Sequence, residues 1–544
     1  MGLVPVPPLP AAGGLTMRVA VIAPPYPLSE APAPPLGVTY VAAAFAAAGA
    51  EVRIFDFIVS RYHREKLAAL LEDFRPDVVG ATSVTLNYPR AAAILDEVKE
   101  LSPRTLTVMG GPHASFDAPA VLSDHRGIDV VVMGEGEETV RELMASSFDP
   151  RFFPRIDGIA YRQDGGVIVN PPRGFIADID SIPTPARHLL PLSRYRALGF
   201  PISVITGRGC PYRCIFCQGR RMVGGRMRKR KVSSVMEEIE EILSYGIDRI
   251  NVADDLFVSD RERVREVCDE IRRRGLRFAW SAFARVNTVD LETLERMREA
   301  GCDSISFGVE SANRGILRTI RKGITPEEVV RAVEMARAAG LLVHCSFIVG
   351  LPGETRETLA ETASFAASLG CYYGYHHLAP FPGTTVREEA ATYDLEILTD
   401  DWTLYDANRA VVRTSALSPE DLDAFVAAFE GEIEKEWNKL LDGYRAGTNS
   451  PGDDLRVEGH FRTQLTYRLL ADDLLEEHGT VPRGRDGGRE ALFRAVAALT
   501  GHDPGLVART LGDFIARGYI KGREGGDAVR WYWTHNNRLD SFPL

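Results

Sequence analysis

A chain of 544 residues is too long for one compact core and, at roughly 150 residues per domain, predicts three or four domains. Its 45% hydrophobic and 26% charged residues are those of an ordinary globular protein, which sets aside disordered and fibrous classes, and no apolar run approaches the ~20 residues a transmembrane helix needs. The formal net charge of -11 argues against general affinity for nucleic acid, although GRRMVGGRMRKRK at 219–231 is a concentrated basic run. The opening MGLVPVPPLPAAGGLTM lacks a basic segment followed by an apolar one, so it reads as a flexible lead-in over 1–16 rather than a secretory signal; the chain is expected in the cytoplasm.

From 17 to 146 short β-branched runs alternate with amphipathic stretches. RVAVIAPP, EVRIFDF, DVVGATS, TLTVMGG and DVVVMGEG read as strands, with helices beginning near Val38, His63, Pro89, Asp117 and Gly136. Five βα units predict a doubly wound, Rossmann-like or flavodoxin-like parallel sheet, whose ligands lie outside the carboxyl ends of the strands because the crossover helices cover both faces. Pro24, Pro25 and Tyr26 fall after the first strand, Ser83 and Thr85 after the third, Gly110, Gly111 and His113 after the fourth, and Gly134, Glu135 and Gly136 after the fifth. Residues 147–196 read as a connector holding a hairpin, GIAYRQDGGVIVNPP, and a proline-rich SIPTPARHLLP. A second βα series occupies 197–395, with strands ISVIT, RINVAD, RFAWSAF, SISFGVE, LVHCSFIVG and YYGYHHLAP and helices such as 233–245 and 356–369. Six parallel strands predict an α/β barrel, open or closed, with its chemistry at the strand C-termini. The remainder, 396–544, is mainly helical, with a long helix near 418–444 and then helix, turn, helix and a Gly-Gly hairpin, the outline of a winged helix.

Directly after the first strand of the second series stands GRGCPYRCIFCQG, which crowds Cys210, Cys214 and Cys217 into eight positions of a chain with seven cysteines. The other four are scattered singly, and an odd total without a secretory signal argues against a disulfide framework. Thiolates are soft ligands for zinc, copper(I) or iron-sulfur clusters, and Cys-x3-Cys-x2-Cys folds one loop around one centre. A closed zinc site wants a fourth ligand, which only a distant residue such as His344 could supply; a four-iron cube held by three thiolates keeps one iron open.

In these phrases the chain resembles the radical SAM superfamily. The resemblance implies a 4Fe-4S cluster on Cys210, Cys214 and Cys217, which would serve as metal ligands and catalytic residues together. It also implies chelation of S-adenosylmethionine at the open iron and reductive cleavage to a 5'-deoxyadenosyl radical. It places Phe216 beside the adenine, Gly308 and Glu310 of SISFGVES at the methionine and ribose, and Arg285 of WSAFARV at the cofactor carboxylate. Ile348, Gly350, Leu351 and Pro352 of SFIVGLPGET would border the adenine, and Asp254 of VADDLF completes the set. Each phrase also has a structural reading, Asp254 as a helix cap and GLPGET as a tight turn among them.

The front domain resembles the cobalamin-binding domain of one radical SAM class. The resemblance rests on PPLGVTYVAAAFAAAGAEVRIFD with Leu36 and Gly37, on DVVGATSVT, VMGGPHAS and DVVVMGEGEET. It would assign cobalamin contacts to Pro25, Tyr26, Leu36, Gly37, Ser83, Thr85, Gly110, Gly111, His113, Gly134, Glu135 and Gly136. A nucleotide domain is the other reading, although no G-x-G-x-x-G follows the first strand. The Asp-x-His-x-x-G motif that supplies a histidine to cobalt in methionine-synthase-like domains is also missing, so a cobalt without a nitrogenous protein ligand is expected.

The class implies, first, transfer of a methyl group from methylcobalamin to an unactivated carbon of a small molecule, such as a natural-product or tetrapyrrole intermediate. An electron donor such as flavodoxin or ferredoxin is implied with it. Cyclisation, ring rearrangement and phosphorus methylation are further activities of the class, and a cobalamin-free radical SAM enzyme or an iron-sulfur redox sensor binding peptide or nucleic acid are other readings. Tyr372, Tyr373, Tyr375, His376 and His377 could line a pocket or pack, and the basic run could receive an acidic substrate or be a solvated loop.

Overall fold

The computed structural model describes residues 16–27 and 33–534, so the lead-in expected over 1–16 lies outside the described residues except for Thr16. The chain divides into two compact units.

The first unit holds residues up to Pro24, Pro35–Phe55 and Tyr62–Leu189. Its sheet comprises β1 (Arg18–Ala23), β2 (Glu51–Asp56), β3 (Val78–Thr82), β4 (Leu106–Gly110), β5 (Val130–Val132), β6 (Ile159–Gln163) and β7 (Gly166–Val169), in the order β2-β1-β3-β4-β5-β6-β7. β1, β3, β4 and β5 run parallel, with Val19 beside Val78, Val78 beside Leu106 and Val108 beside Val130. This 2-1-3-4-5 order is that of the flavodoxin-like sheet, with a switch point between β1 and β3. The uninterrupted apolar runs of β1, β3 and β5 follow from burial on both faces. The hairpin foreseen after residue 156 is β6 and β7, antiparallel strands added to this sheet beside β5.

Helices Leu36–Ala47, Arg64–Phe74, Tyr88–Leu101 and Gly136–Ala145 begin within about two residues of expectation. The helix expected near Asp117 begins at Pro112 instead. Asp117 is a kink inside it, two residues before Pro119, whose ring cannot donate to the preceding turn and crowds it.

The second unit contains a six-stranded sheet of β8 (Ile202–Val204), β11 (Arg249–Val252), β12 (Ala279–Ala284), β13 (Cys302–Glu310), β14 (Leu342–Val349) and β15 (Tyr372–His377), interrupted in chain order by the short pair β9 (Gly207–Arg208) and β10 (Arg228–Lys229). Every neighbour in the six-stranded sheet is parallel, and β8 and β15 form its two edges, so it is a partial barrel. The face carrying Trp280, Ala282, Ile305, Phe307, Phe347 and Val349 is buried. The opposite face carries small or polar residues, among them Asn251, Ser281, Ser306, Gly308, Ser346 and Gly374, which stay partly open. A closed barrel fills its interior with bulky branched side chains. Here the alternation leaves the lumen face small and polar, and on it Ser281 donates to Asn251 at 3.0 Å.

Helices Val232–Ser244, Arg261–Arg273, Leu291–Glu299, Pro326–Ala338 and Arg356–Ser368 connect the strands. Their starts are capped by short polar side chains, as where Asp260 accepts from Arg263 N at 3.1 Å and Thr325 forms a capping box with Glu328.

Beyond the barrel lie a two-stranded ribbon, β16 (Glu396–Ile397) and β17 (Val412–Arg413), and the long helix Pro419–Ala446. Helix Pro451–Ala471 follows, then a three-stranded sheet of β18 (Thr480–Pro482), β19 (Ile520–Gly525) and β20 (Ala528–Trp533) beside helices Arg489–Thr500 and Pro504–Ala516, the winged-helix outline read from the sequence. Gly526, at φ +60, turns the wing. The core of this region joins Leu465, Leu469, Val496, Leu511, Phe514 and Trp531 to Tyr195 and Leu198, just ahead of β8.

Candidate active site

The three cysteines occupy the loop between β9 and β10, and that loop is held from several directions. Thr206, which follows β8, donates its N–H and hydroxyl to the Asp254 carboxylate at 2.5 and 2.6 Å, tying the ends of β8 and β11 together. Burial raises the Asp254 carboxyl to about 6. β9 and β10 pair antiparallel, with Gly207 beside Lys229 and Arg208 beside Arg228. Gly209 stands at φ +114, and a Cβ there would lie 2.3 Å from the Arg226 carbonyl oxygen, so only glycine lets the two sides of the loop approach. Cys210 N donates to Gly224 O at 3.0 Å, and the wholly buried Ile215 anchors the middle through Ile320 O and Val386 N.

Burial raises the Cys210 thiol and pushes Cys217 up to about 11, and the neighbouring cysteine charges add to both, so ligation must displace protons. Among the described residues no three His, Cys, Asp or Glu side chains converge on a single ion. His344, the distant residue a closed zinc site would need as its fourth ligand, lies on β14. Three thiols on one loop are the donor set of a cluster, in which each thiolate takes its own iron.

Around the loop stand charged groups from the next strands. Arg285 follows β12; its guanidinium stacks 3.6 Å above the Tyr212 ring, donates to Cys214 Sγ at 3.6 Å and donates to the Lys322 carbonyl. Its buried Nε has no hydrogen-bond partner. Glu310 ends β13 at φ +70, directly after a register shift between Gly308 and Glu310. A bulge and a left-handed residue together re-aim the side chain at a strand end. Its carboxylate accepts from Lys322 Nζ at 2.5 Å, and Lys322 Nζ lies 5.9 Å from the centre of the Phe216 ring.

After β14, Gly350 N and Leu351 N donate to the Glu354 carboxylate at 2.7 and 3.0 Å, with Pro352 in the turn between. Burial pushes Glu354 up to about 8. Ile348 faces the lumen beside His376 of β15.

The fold thus brings Cys210, Cys214, Cys217, Phe216, Gly308, Glu310 and Arg285, each expected at the site, to one neighbourhood. Asp254 is occupied in clamping Thr206. Sequence reasoning misses Lys322, which lies in no strand-end phrase, and Glu354, which stands inside the turn GLPGET. Tyr373 and Tyr375 pack against Phe425 and Phe429 of the long helix, with ring centres 5.0 to 5.1 Å apart, and His377 pairs with Asp423 of that helix at 3.0 Å. Five of the seven basic residues in the run at 219–231 bond within the chain: Arg220 on Pro211 O, Arg221 on Gly383 O and Glu388, Arg228 on Val223 O, Lys229 on Asp260, and Arg230 on Ile205 O and the buried Glu238.

In the first unit, the loops after β3, β4 and β5 form the carboxyl edge of the sheet. Gly111, at φ +97, brings its backbone so close to the β3 loop that a Cβ would lie 2.5 Å from Ser83 O, while Gly134, at φ +71, has open space where its Cβ would be. Gly134 N donates to Ser115 Oγ at 2.9 Å. Ser83 Oγ and Asn87 Oδ1 are buried without partners. Orphaned polar atoms beside glycine-lined loops at a switch point fit the polar tail of a corrinoid. Leu36 and Gly37 open the first helix, Gly37 with open space above it, and Gly110 and Gly136 stand at the ends of β4 and of the loop after β5. Thr85 is buried in the turn into the next helix. Two of the expected contacts face inward. His113 is wholly buried and stacked on Tyr88 at 3.9 Å, and Glu135 accepts from Ile176 N at 2.9 Å.

Comparison with known proteins points the same way. Residues 204–366 match the Radical SAM superfamily, and residues 29–144 match the B12 binding domain. An uncharacterized methyltransferase of Pyrococcus horikoshii is 36% identical over 392 residues, covering 72% of this chain and 85% of that protein. The anaerobic magnesium-protoporphyrin IX monomethyl ester cyclase of Rubrivivax gelatinosus is 32% identical over 61% of this chain and 62% of its own length. Among solved structures, the radical S-adenosylmethionine methyltransferase TsrM from Kitasatospora setae superposes with a TM-score of 0.63 at 21% identity, over 76% of this chain and 89% of TsrM, a likeness of fold.

Proposed function

Since the chain belongs to the cobalamin-binding radical SAM enzymes, with a 4Fe-4S cluster, S-adenosylmethionine and cobalamin as its cofactors, we propose that it methylates an unactivated carbon of a small molecule. The observation that carries this reading is the joint presence of both cofactor modules in a chain 36% identical, over most of its length, to a protein named as a methyltransferase. The small, polar lumen face supports a small-molecule substrate, because the partly open Asn251, Ser281, Ser306 and Ser346 offer hydrogen bonds where a closed barrel would be filled with bulky side chains.

When bound, the cofactors supply an electron, a hydrogen-abstracting 5'-deoxyadenosyl radical and a transferable methyl group. The chain's own residues position and shield. Cys210, Cys214 and Cys217 hold the cluster. Arg285 keeps a positive charge against Cys214 Sγ, which favours the more negative, reduced state of whatever that sulfur ligates. Glu354 fixes the Gly350 and Leu351 amides and with them the turn that would border an adenine, with Phe216 on the cysteine loop. Ser83, Gly111 and Gly134 receive the corrinoid tail. A flavodoxin or ferredoxin would deliver the electron, and a cytoplasmic setting suits that donor. The basic run's internal pairing supports a small molecule rather than nucleic acid as the partner.

The test is to purify the protein under nitrogen, measure iron and corrinoid, and supply S-adenosylmethionine with a deuterated methyl group together with small-molecule extract. The expected outcome is release of 5'-deoxyadenosine and a product carrying the deuterated methyl. Radical formation with an unlabelled, rearranged or ring-closed product would replace methylation by the second reading, which the 32% identity to the cyclase favours.

A further inference from the structure

Glu310 and Lys322 form an ion pair at 2.5 Å with both side chains more than nine-tenths buried. Taking two charges out of water is costly, and a pair of apolar residues of similar volume is often at least as stable. The pair therefore contributes direction rather than stability. It lies over Gly308: a Cβ at that position would fall 2.7 Å from Glu310 Oε1 and 3.0 Å from Lys322 Nζ. Glu310 also bears backbone strain, at φ +70 beyond the register shift, a conformation that persists only where its surroundings over-determine it.

Lys322 is tied to the cysteine loop by its other end. Its carbonyl accepts from Arg285 Nη2, the guanidinium whose Nη1 touches Cys214 Sγ. The backbone of Lys322 is itself pinned, its N–H donating to Leu317 O at 3.0 Å. One residue thus braces two groups from two strands, a carboxylate through its ammonium and a guanidinium through its backbone.

We propose that Lys322 is a positioning residue of the S-adenosylmethionine cleft, holding the Glu310 carboxylate where the cofactor is received and the Arg285 guanidinium against the cluster loop. Its action on the cofactor runs through Glu310. This rests on the cofactor assignment and not on methyl transfer, so it stands whether the reaction is methylation or ring closure.

The test uses full-length protein reconstituted anaerobically, with cluster content taken from iron and absorbance, and the affinity for S-adenosylmethionine taken by equilibrium dialysis without substrate. Lys322→Met keeps the backbone carbonyl and so the Arg285 brace; it should retain the cluster but weaken S-adenosylmethionine binding by roughly 10- to 100-fold, the usual cost of losing an outer support of a metal site. Lys322→Arg should restore most of the loss. In a Glu310→Gln background the Lys322→Met change should cost less than about threefold, because two residues acting as one unit are not additive. Additive losses would mean that Lys322 touches the cofactor directly, and unchanged affinity would mean that it is idle; either overturns the proposal. If Lys322→Met alone fails to fold, the neutral double variant decides: affinity equal to that of Glu310→Gln supports the proposal, and a further loss overturns it.

Discussion

Single residues at this site are defined by the backbone they must tolerate and the water they lose. Gly209→Ala would place a methyl 2.3 Å from Arg226 O at a φ that side chains avoid, and such strain alone costs about 1–3 kcal/mol. The variant should bind less than half the iron of the wild type after reconstitution, measured against protein concentration. Glu354 makes a prediction about pH. Its folded carboxyl titrates at about 8 because burial opposes the charge, whereas unfolded it titrates near the ordinary 4.5. Between those values the folded state holds a proton that the unfolded state releases, so this group lowers stability progressively as pH rises from about 4.5 to about 8. Glu354→Gln should remove that slope: its melting temperature should exceed the wild type's by several degrees at pH 8.5 and by little at pH 5, in paired melts across that range. A gap that does not widen with pH would assign the slope to other groups. Glycine at 209 and the carboxylate at 354 were both plain in the sequence, but the carbonyl that excludes a Cβ and the burial that moves the pKa come from residues far along the chain or folded back over it.

Elements show how a local pattern can be read correctly while its partner stays hidden. The alternation in SISFGVE and LVHCSFIVG announces strands, and β13 and β14 are there, because period-two burial is written in neighbouring residues. The helix Pro451–Ala471 went unforeseen although Val457, Phe461, Leu465 and Leu469 recur every fourth residue, since its polar, glycine-containing first turn resembles a loop. By sequence the basic run reads as a solvated loop or a receiver of an acidic substrate, because its carboxylate partners, Asp260, Glu238 and Glu388, are 8 to 167 positions away. Arg230→Met leaves Glu238 buried without its ion pair, and breaking such a pair costs about 3–5 kcal/mol. Denaturant melts should show that loss, and Arg230→Met combined with Glu238→Leu should recover most of it. The aromatic strand β15 packs on the long helix, so Tyr375→Ala should cost about 3–5 kcal/mol, in the range of other large aromatic truncations, without changing iron content per folded molecule.

At the scale of the whole molecule, two cofactor modules and a C-terminal helical region share one chain, and their order was legible. The phrases that identify each module lie at strand ends in sequence order, and parallel βα units place strand ends on one edge. The C-terminal core was less legible, because Tyr195 and Leu198 lie more than 250 residues before the Leu465, Leu469 and Phe514 they pack with. Leu469→Ala should therefore destabilise the protein by about 2–5 kcal/mol in denaturant melts while leaving iron content per folded molecule unchanged, since the cavity opens far along the chain from the cysteine loop.

What the amino-acid order determined by itself was local and periodic: strands, helices, the three-thiol spacing and the glycines that permit close approach. Each depends on residues a few positions apart, where covalent geometry sets the distance. The tertiary structure alone decided which charges are spent and which remain. It paired Lys322 with Glu310, turned Arg285 onto Cys214, sent His113 beneath Tyr88 and used the basic run as internal bracing. A charge at a given position takes its energy from its burial and its nearest opposite partner, and both are fixed only when distant segments meet.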